Sequence, residues 1–434
     1  MGSRFKGAGL FAAAFGLAVF GAGQASAATL GDLVQQVLAG DNRIKAAEAD
    51  LSSAREKARE ALGDWYPTLN VDGSYGYEHQ NQPRPLRDSS KVPRELDLRI
   101  TQLLWDFGKT NAGVRKARLA MEESVANLDS QRQLVLFEAA TAYLNLSKAR
   151  DVVGFARQSE GNIKKQTELE DALVKRGAGF STDVLQAKTQ LAGAQARLVR
   201  AEGQLAVARN AFQRVFGDVV PPDEELVAPN LPVDLLPANV EEAVRRALDS
   251  NPQLRVSGLQ TRQAAEDLTR NKADKFLPRI QAVGSLKFKK DINALPGYER
   301  EALAKVEFSY PFNLGLTAFN SDRSFRDQLT ASALRTADSR DEVERQARNA
   351  WQALVTAREN HRLLTNQSNI AAEFLEQARK ERQLGRRSLL DVLSGETSLI
   401  NASSDAAAAK ANVAVAVYTL LTVMGELDDK AFAK

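Results

Sequence analysis

The sequence predicts a mostly α-helical chain with a small β part, arranged as an internal tandem duplication. Two proline-free stretches, residues 109–176 and about 316–384, are rich in strong helix formers. One helix of about 68 residues would be about 100 Å long, several times the length usual in a compact domain. Short runs in which apolar and polar residues alternate precede each stretch and predict β-strands.

The first 27 residues predict a secretory signal peptide. Arg4 and Lys6 form a basic start, residues 10–20 an apolar middle, and residues 25–27 (Ala-Ser-Ala) a small-residue cleavage site. The alternative, a membrane-anchoring helix, fits poorly because the glycine-interrupted apolar run is short for a membrane span. No cysteine follows the signal, so a lipid at the mature end is not expected.

Composition excludes several functional classes. Removing the signal takes away the two positive charges of Arg4 and Lys6, which lowers the net charge from +3 to +1 and does not favour a nucleic-acid binder. The chain has no cysteine, which excludes disulfides and thiolate metal sites. His79 and His361 lie in no metal-ligand or catalytic-triad spacing, and no phosphate-binding loop is present. We therefore expect no catalytic residue, no metal site and no cofactor.

Residues 28–217 are predicted to form the first structural repeat. A helical pattern from residue 30 to about 64 ends at Trp65-Tyr66-Pro67, because proline cannot continue a helix. Alternating residues then predict a β-hairpin over about residues 68–105, whose connection, residues 79–94, is expected to be a long loop. The apolar face of these strands is rich in aromatic residues.

The long helix that follows is predicted to break at residues 177–179 (Gly-Ala-Gly). Ser181 or Thr182 is expected to cap the next helix, which runs to about residue 217. This helix carries an apolar residue every seven positions and an alanine three positions after each of the first four, a pattern typical of a coiled coil. The seam residues are Val184, Leu191, Leu198, Leu205 and Phe212.

A Pro-rich linker over residues 218–238 separates this repeat from a second one over residues 239–425, and residues 426–434 form a C-terminal tail. The second repeat is predicted to hold a helix, a β-hairpin over about residues 279–312, a long helix and a last helix. Gly177 matches Gly385, and the Asp-Val-Leu at 183–185 matches that at 391–393, each with an offset of 208 (385 − 177). A constant offset over many matches indicates a tandem duplication.

The strands predict a membrane barrel built from several chains. Four strands cannot close a barrel, and an open sheet edge is not tolerated in lipid. No segment after the signal is expected to have the long uncharged apolar run of a spanning helix, so insertion is expected through the strands. The alternative is a soluble hairpin packed on its own helices. Aromatic residues on the apolar strand face favour the barrel; they are Tyr75, Tyr77, Phe308 and Tyr310.

The whole mature chain resembles the TolC family of outer-membrane export channels. The resemblance rests on the signal peptide, the duplication, the aromatic and proline stop before each hairpin, the Leu-Trp-Asp-Phe-Gly at 104–108, and two turns with Gly-x5-Asp-Val-Leu spacing. It implies a homotrimer in the cell outer membrane, with a twelve-stranded β-barrel, four strands per chain, joined to a TolC-like α-helical barrel of long coiled-coil helices. The helical barrel would extend through the periplasm, with the linker in its equatorial region.

The resemblance also implies that the two turns form a periplasmic tip where the tunnel closes. In the family, an arginine of the second turn, here Arg387, bonds to an aspartate of the first turn, here Asp183, beside Thr182. Asp391 matches one member of an acidic ring at the entrance, and Ser394 stands at the other member's position. An open alternative is that Asp183 only caps its helix and Arg387 is solvated.

The resemblance implies that a periplasmic adaptor (membrane fusion) protein docks on the two turns. A family tyrosine that helps to hold the tip shut corresponds to Arg382 in this sequence. The residues expected in the docking turns are Gly177, Gly179, Val184, Leu185, Gly385, Arg386, Val392 and Leu393.

The function implied is the outer-membrane exit duct of a tripartite system for type I protein secretion, multidrug efflux or both. The adaptor would open it, and an inner-membrane ABC or proton-driven transporter would supply the energy. The barrel is also expected to contact outer-membrane lipid, and no nucleic-acid partner is expected. The turn at residues 388–393 looks like that of members serving type I secretion, but the cargo stays open. The alternative is a periplasmic coiled-coil adaptor or scaffold without a pore.

Overall fold

The computed structural model describes residues 30–81, 88–217, 230–292, 297–312 and 314–432. The predicted signal peptide and most of the predicted linker lie outside these residues.

The helices repeat along the chain with the offset found in the sequence. In chain order they are α1 (Leu30–Gly40), α2 (Asn42–Gly63), α3 (Lys109–Lys175), α4 (Ser181–Phe216), α5 (Val240–Ser250), α6 (Pro252–Phe276), α7 (Thr317–Gln383) and α8 (Leu389–Met424). Both α3 and α7 have 67 residues, and both α4 and α8 have 36. The first and last residues of α7 and α8 lie 208 positions after those of α3 and α4 (317 − 109; 389 − 181), which confirms the duplication.

The prediction of one continuous helix before each hairpin is wrong, because α1 and α2 precede the first hairpin and α5 and α6 precede the second. The Asp41 carboxylate accepts a hydrogen bond from the Arg43 amide N–H at 2.7 Å and starts α2. Asn251 accepts from the amide of Gln253 at 2.9 Å, and Pro252 occupies the first position of α6. Each cap residue has an extended backbone, which ends one helix and begins the next.

The Asp41 cap gives a prediction for the pH dependence of stability. A hydrogen bond from Arg43 lowers the pKa of Asp41 below its ordinary value of 3.8. The charged form therefore contributes stability above about pH 4, and this contribution is lost as the pH falls through the folded-state pKa. Asp41→Asn keeps a capping side chain but removes the charge. We expect the free energy of unfolding of this variant at pH 7 to be about 0.5–1 kcal/mol lower than that of the wild type, measured as a lower thermal midpoint. This difference should shrink towards pH 3, and a difference that stays constant with pH would contradict the assignment.

Four antiparallel strands form one sheet in the order β1-β4-β5-β6. They are β1 (Thr68–Tyr75), β4 (Arg94–Trp105), β5 (Arg279–Lys290) and β6 (Tyr298–Ser309). The pairing of β4 with β5 joins the two predicted hairpins. The predicted loop at 79–94 is partly strand, because β2 (Glu78–Gln80) pairs with β3 (Ser89–Lys91) and His79 Nδ1 contacts Ser90 Oγ at 2.7 Å. Among the described residues β1 and β6 each keep one unpaired edge.

The sheet has one apolar and one polar face, and the apolar face is uncovered. Val71, Leu98 and Leu286 lie side by side on the apolar face, whereas Asp97 and Lys287 are opposed on the other. Leu69 is 61% exposed and Val306 is 67% exposed. A soluble hairpin packed on its own helices would bury such residues. The bare apolar face is therefore what a lipid-facing strand requires.

The main core lies around the middle of α3, where α1, α5 and the C-terminal ends of α4 and α8 meet. Tyr143 and Phe212 are fully buried there. Tyr418 stacks on Phe432 with ring centroids 5.1 Å apart, and burial raises the pKa of Tyr418 to about 12. This packing fixes the two long helices relative to each other midway along their length.

One expectation about membrane spans is wrong. Helix α8 contains a window with a mean hydropathy of 1.5, which by length and composition is apolar enough to cross a membrane. In the fold, 44% of that window is buried inside the chain. Val417, Leu420 and Leu421 of α8 belong to the main core, so α8 behaves as a core helix, rich in alanine to allow close packing.

Candidate functional site at the helical tip

The two turns at the tip have the same backbone arrangement. Gly177 and Gly385 end α3 and α7 with φ of +76° and +71°, a left-handed conformation that favours glycine. The Ala178 amide donates to the Leu173 carbonyl at 2.9 Å, and the Arg386 amide donates to the Glu381 carbonyl at 2.9 Å. Both turns are therefore sharp glycine C-caps, and the duplication extends to their hydrogen bonds.

The caps of the following helices differ. Ser388 precedes α8, and its hydroxyl oxygen accepts from the Asp391 amide at 3.2 Å. Phe180 precedes α4 and provides no side-chain cap, so the expected capping by Ser181 or Thr182 is wrong. The Phe180 ring, 75% exposed, instead projects from the first turn.

The predicted gate residues all lie at the tip. Asp183 is half-buried in the first turn of α4, and Asp391 is exposed at the equivalent place in α8. Thr182 and Ser394 are exposed as well. Two carboxylates and two hydroxyls thus lie in the first two turns of α4 and α8, where solvent reaches them.

Within one chain, Arg387 contacts its own hairpin. Its Nε donates to Glu381 Oε2 at 2.7 Å, and its guanidinium carbon lies 5.2 Å from the centroid of the Phe374 ring. The described residues contain no Arg387–Asp183 bond inside the chain. That bond stays a prediction, and it would have to join neighbouring chains.

The predicted docking residues divide by burial. Val392 is 1% exposed and Leu393 is fully buried, and Val184 is buried as well, so these side chains pack inside the hairpins. Leu185 is 64% exposed, and Arg386 is exposed. Docking at the two turns stays a prediction, but only the exposed members can offer side chains to a partner.

A salt bridge that the sequence did not reveal links the two hairpins. Arg382 Nη2 donates to Glu170 Oε1 at 2.8 Å, which joins α7 to α3. The Glu170 side chain is only 4% exposed. Arg382, which replaces the family tyrosine, therefore has an acidic partner in the other repeat.

A second buried carboxylate reinforces this link. Glu396 of α8 is 2% exposed and pairs with Arg379 of α7, and Asn162 of α3 donates to it at 3.4 Å. A sequence signal existed, because Glu396 is the lone acidic residue of α8 between Asp391 and Asp405. Arginines of α7 thus hold two buried carboxylates at the tip. In the described part of the chain, no group of acidic residues and histidines is arranged to bind a metal.

The chain is similar in sequence to known outer-membrane proteins. The sequence profile described as "Outer membrane efflux protein" matches residues 33–218. The chain is 24% identical to the outer membrane efflux protein BepC of Brucella suis over 363 residues, which is 82% of this chain and 77% of that one. It is 23% identical to the outer membrane protein TolC of Escherichia coli over 419 residues, 93% of this chain and 83% of that one. The chain is thus similar to outer membrane efflux proteins over most of its length.

Other similarities agree with the resemblance found in the sequence. The alkaline protease secretion protein AprF of Pseudomonas aeruginosa is 26% identical over 361 residues, 79% of this chain and 73% of that one. The outer-membrane channel OprN matches with a TM-score of 0.77 at 22% identity, covering 92% of this chain and 90% of that one. The Campylobacter jejuni CmeC outer membrane channel matches with a TM-score of 0.79 at 16% identity, covering 92% and 87%. The chain therefore has the predicted TolC-like fold and an outer-membrane location.

Proposed function

We propose that this protein is the exit duct of a tripartite export system. One observation above all supports the proposal: a sheet with a bare apolar face and two open edges stands at one end of two helices of about 100 Å each. The sheet would cross the outer membrane, and the helices would line a tunnel through the periplasm.

The open edges support a trimer. Three copies of the four-stranded sheet make a twelve-stranded barrel if β1 of each chain pairs with β6 of the next. Closure satisfies every backbone edge, which lipid requires. A single chain would leave both edges unpaired in the membrane.

The tip residues support closure at the periplasmic end. Arg387 is held at a turn by Glu381 in its own chain, and it would exchange this partner for Asp183 of a neighbouring chain when the tip closes. A periplasmic adaptor would dock on the exposed turn residues and release the tip. The energy would come from an inner-membrane ABC or proton-driven transporter.

The alternative of a periplasmic scaffold without a pore is not supported. A soluble scaffold would cover the apolar sheet face, and here that face is bare. Relatives include a protein named for efflux and one named for secretion of an alkaline protease. The proposal therefore covers both small molecules and secreted proteins as cargo.

The experiment is conductance of the purified protein in a planar bilayer, with Asp391→Asn as the informative variant. Three copies of Asp391 around a narrow axis would concentrate cations, so we expect the wild-type channel to prefer cations. The variant should lose most of this preference, with a several-fold fall in the ratio of cation to anion permeability. Glu376→Gln is a charge-matched control, since Glu376 bonds to Lys380 along its own helix at 2.7 Å. Equal selectivity in all three proteins would remove Asp391 from the entrance.

A further inference from the structure

We propose that the end of the sheet far from the helices binds the phosphate groups of an outer-leaflet glycolipid through Arg94, Lys290 and Arg300. This inference concerns the lipid around the barrel rather than the cargo inside it. It rests on the proposed placement of the sheet in the outer membrane.

The strand register puts these cations on the apolar face of the sheet. Residues opposed across antiparallel strands lie on the same face. The outermost row across all four strands is Tyr75, Arg94, Lys290 and Tyr298. The next row on that face, two residues closer to the helices, is Gly73, Leu96, Phe288 and Arg300.

Each cation lies over an aromatic ring on the neighbouring strand. The guanidinium carbon of Arg94 is 5.2 Å from the ring centroid of Tyr75. Lys290 Nζ is 4.8 Å from that of Tyr298, and the guanidinium carbon of Arg300 is 5.7 Å from that of Phe288. A ring orients a cation without neutralising its charge, so the full charge remains available for an anion.

No carboxylate in the described residues pairs with Arg94, Lys290 or Arg300. Among the acidic residues of this end, Glu95 and Glu299 belong to the intervening row, which points to the opposite face. Asp291 follows Lys290 directly, and its carboxylate accepts a hydrogen bond from the Gly297 amide at 2.9 Å. On that opposite face Lys289 donates to Glu301 at 3.0 Å. The lumen-side lysine is thus neutralised, whereas the three cations on the apolar face are not.

The depth of the cations matches a lipid headgroup. From Lys290 to Ile280 the strand advances ten residues (290 − 280), about 33 Å, which corresponds to about 25 Å along the membrane normal at a tilt of about 40°. That is the height of the apolar band of an outer-membrane barrel. With the helices in the periplasm, the cations lie at the cell-surface leaflet, whose lipid is a phosphorylated glycolipid.

The spacing of the cations suits phosphate. Arg94 and Lys290 are direct cross-strand neighbours, about 5 Å apart at their backbones, and Arg300 is a diagonal neighbour of Lys290 at about 7–8 Å. A cavity of about 350 Å³ at this end is lined by all three cations, by the apolar-face residues Leu96, Phe288 and Tyr298, and also by Glu95, Lys289 and Glu299 of the intervening row. Two guanidinium groups can each bind a phosphate with two parallel hydrogen bonds.

The test compares the wild-type trimer with the triple variant Arg94→Gln/Lys290→Gln/Arg300→Gln. The control Lys287→Gln/Lys289→Gln/Lys305→Gln removes the same charge from the opposite face. Binding of bisphosphorylated lipid A, dephosphorylated lipid A and inorganic phosphate to the detergent-purified proteins is measured by native mass spectrometry. We expect bisphosphorylated lipid A to bind at least tenfold more weakly to the triple variant, with the control unchanged. Dephosphorylated lipid A should bind weakly to all three proteins, and millimolar inorganic phosphate should not displace the lipid.

Equal lipid binding by the wild-type protein and the triple variant, or equally tight binding of the dephosphorylated lipid, would overturn the proposal. Displacement by inorganic phosphate would also overturn it, because the site would then be a free-phosphate site. Conductance in a planar bilayer separates this failure from that of the duct. Channels that conduct normally but bind lipid without regard to these cations would reject the lipid site alone, whereas proteins that never conduct would reject the duct.

Discussion

Gly425→Ala should destabilise the protein by more than the same change at Gly217. Both glycines end equivalent helices with a positive φ, +74° at 425 and +72° at 217, although ψ is 20° at 425 and −153° at 217. An alanine Cβ at 425 would lie 2.4 Å from the Ser250 carbonyl oxygen, and none of the described atoms lies within 4 Å of one at 217. The positive-φ backbone costs an alanine about 1–2 kcal/mol at the left-handed Gly425 and about 1–3 kcal/mol in the conformation of Gly217, which is essentially restricted to glycine. The backbone clash at 425 adds about 1–3 kcal/mol or more.

The site around Gly425 explains why the chain cannot easily relax. The Gly425 carbonyl accepts from Gln133 Nε2 at 2.9 Å, and Asn251 Nδ2 donates to the Val423 carbonyl at 2.9 Å. These bonds tie the end of α8 to α3 and to the junction between α5 and α6. Thermal midpoint and the yield of heat-modifiable trimer are the measurements. Equal losses at the two glycines would show that the close approach is unimportant.

Arg382→Ser should open the tip and raise the channel conductance. The change leaves the Glu170 carboxylate, only 4% exposed, without its partner. Removing one partner of a buried pair is costly, although the 32% exposure of Arg382 reduces the effect to about 1 kcal/mol per chain. Three chains then shift the balance between closed and open tips by about 3 kcal/mol, roughly a hundredfold.

The control for this prediction is Arg348→Ser, which breaks an exposed pair with Glu344 at 2.8 Å within α7. It should leave the conductance unchanged. Adding Glu170→Gln to Arg382→Ser should bring the channel part of the way back, because the buried charge is then gone. If Arg382→Ser and Arg348→Ser conduct alike, the hairpin link does not hold the tip shut.

The large features of the fold could be predicted from sequence because they are written as repeated local patterns. The offset of 208 applies to the ends of α3 and α4 as well as to the motifs. Glycine at 177 and 385 is required by a left-handed backbone, so the turns were predictable. Strand alternation predicted both hairpins, since its period of two differs from that of a helix.

What the sequence did not predict depends on context. Asp41 could have been an interior helix residue, and only its cap geometry splits the first helix. Pro252 was a sequence signal for the second split, because the residue before a proline disfavours the helical conformation. Val392 belongs to a docking turn by sequence, but the packing of α7 against α8 buries it. The bond between Arg382 and Glu170 joins positions 212 residues apart, a pairing that no local pattern encodes.

We propose that three chains form a duct closed at the tip by Arg387. The most direct measurement is single-channel conductance of the wild-type protein and of Arg387→Ser, with Glu381→Gln as a variant that removes only the partner within the chain. We expect a small cation-preferring current in the wild type, a larger current in Arg387→Ser, and no increase in Glu381→Gln. Absence of current from correctly folded trimers of every variant would contradict the duct.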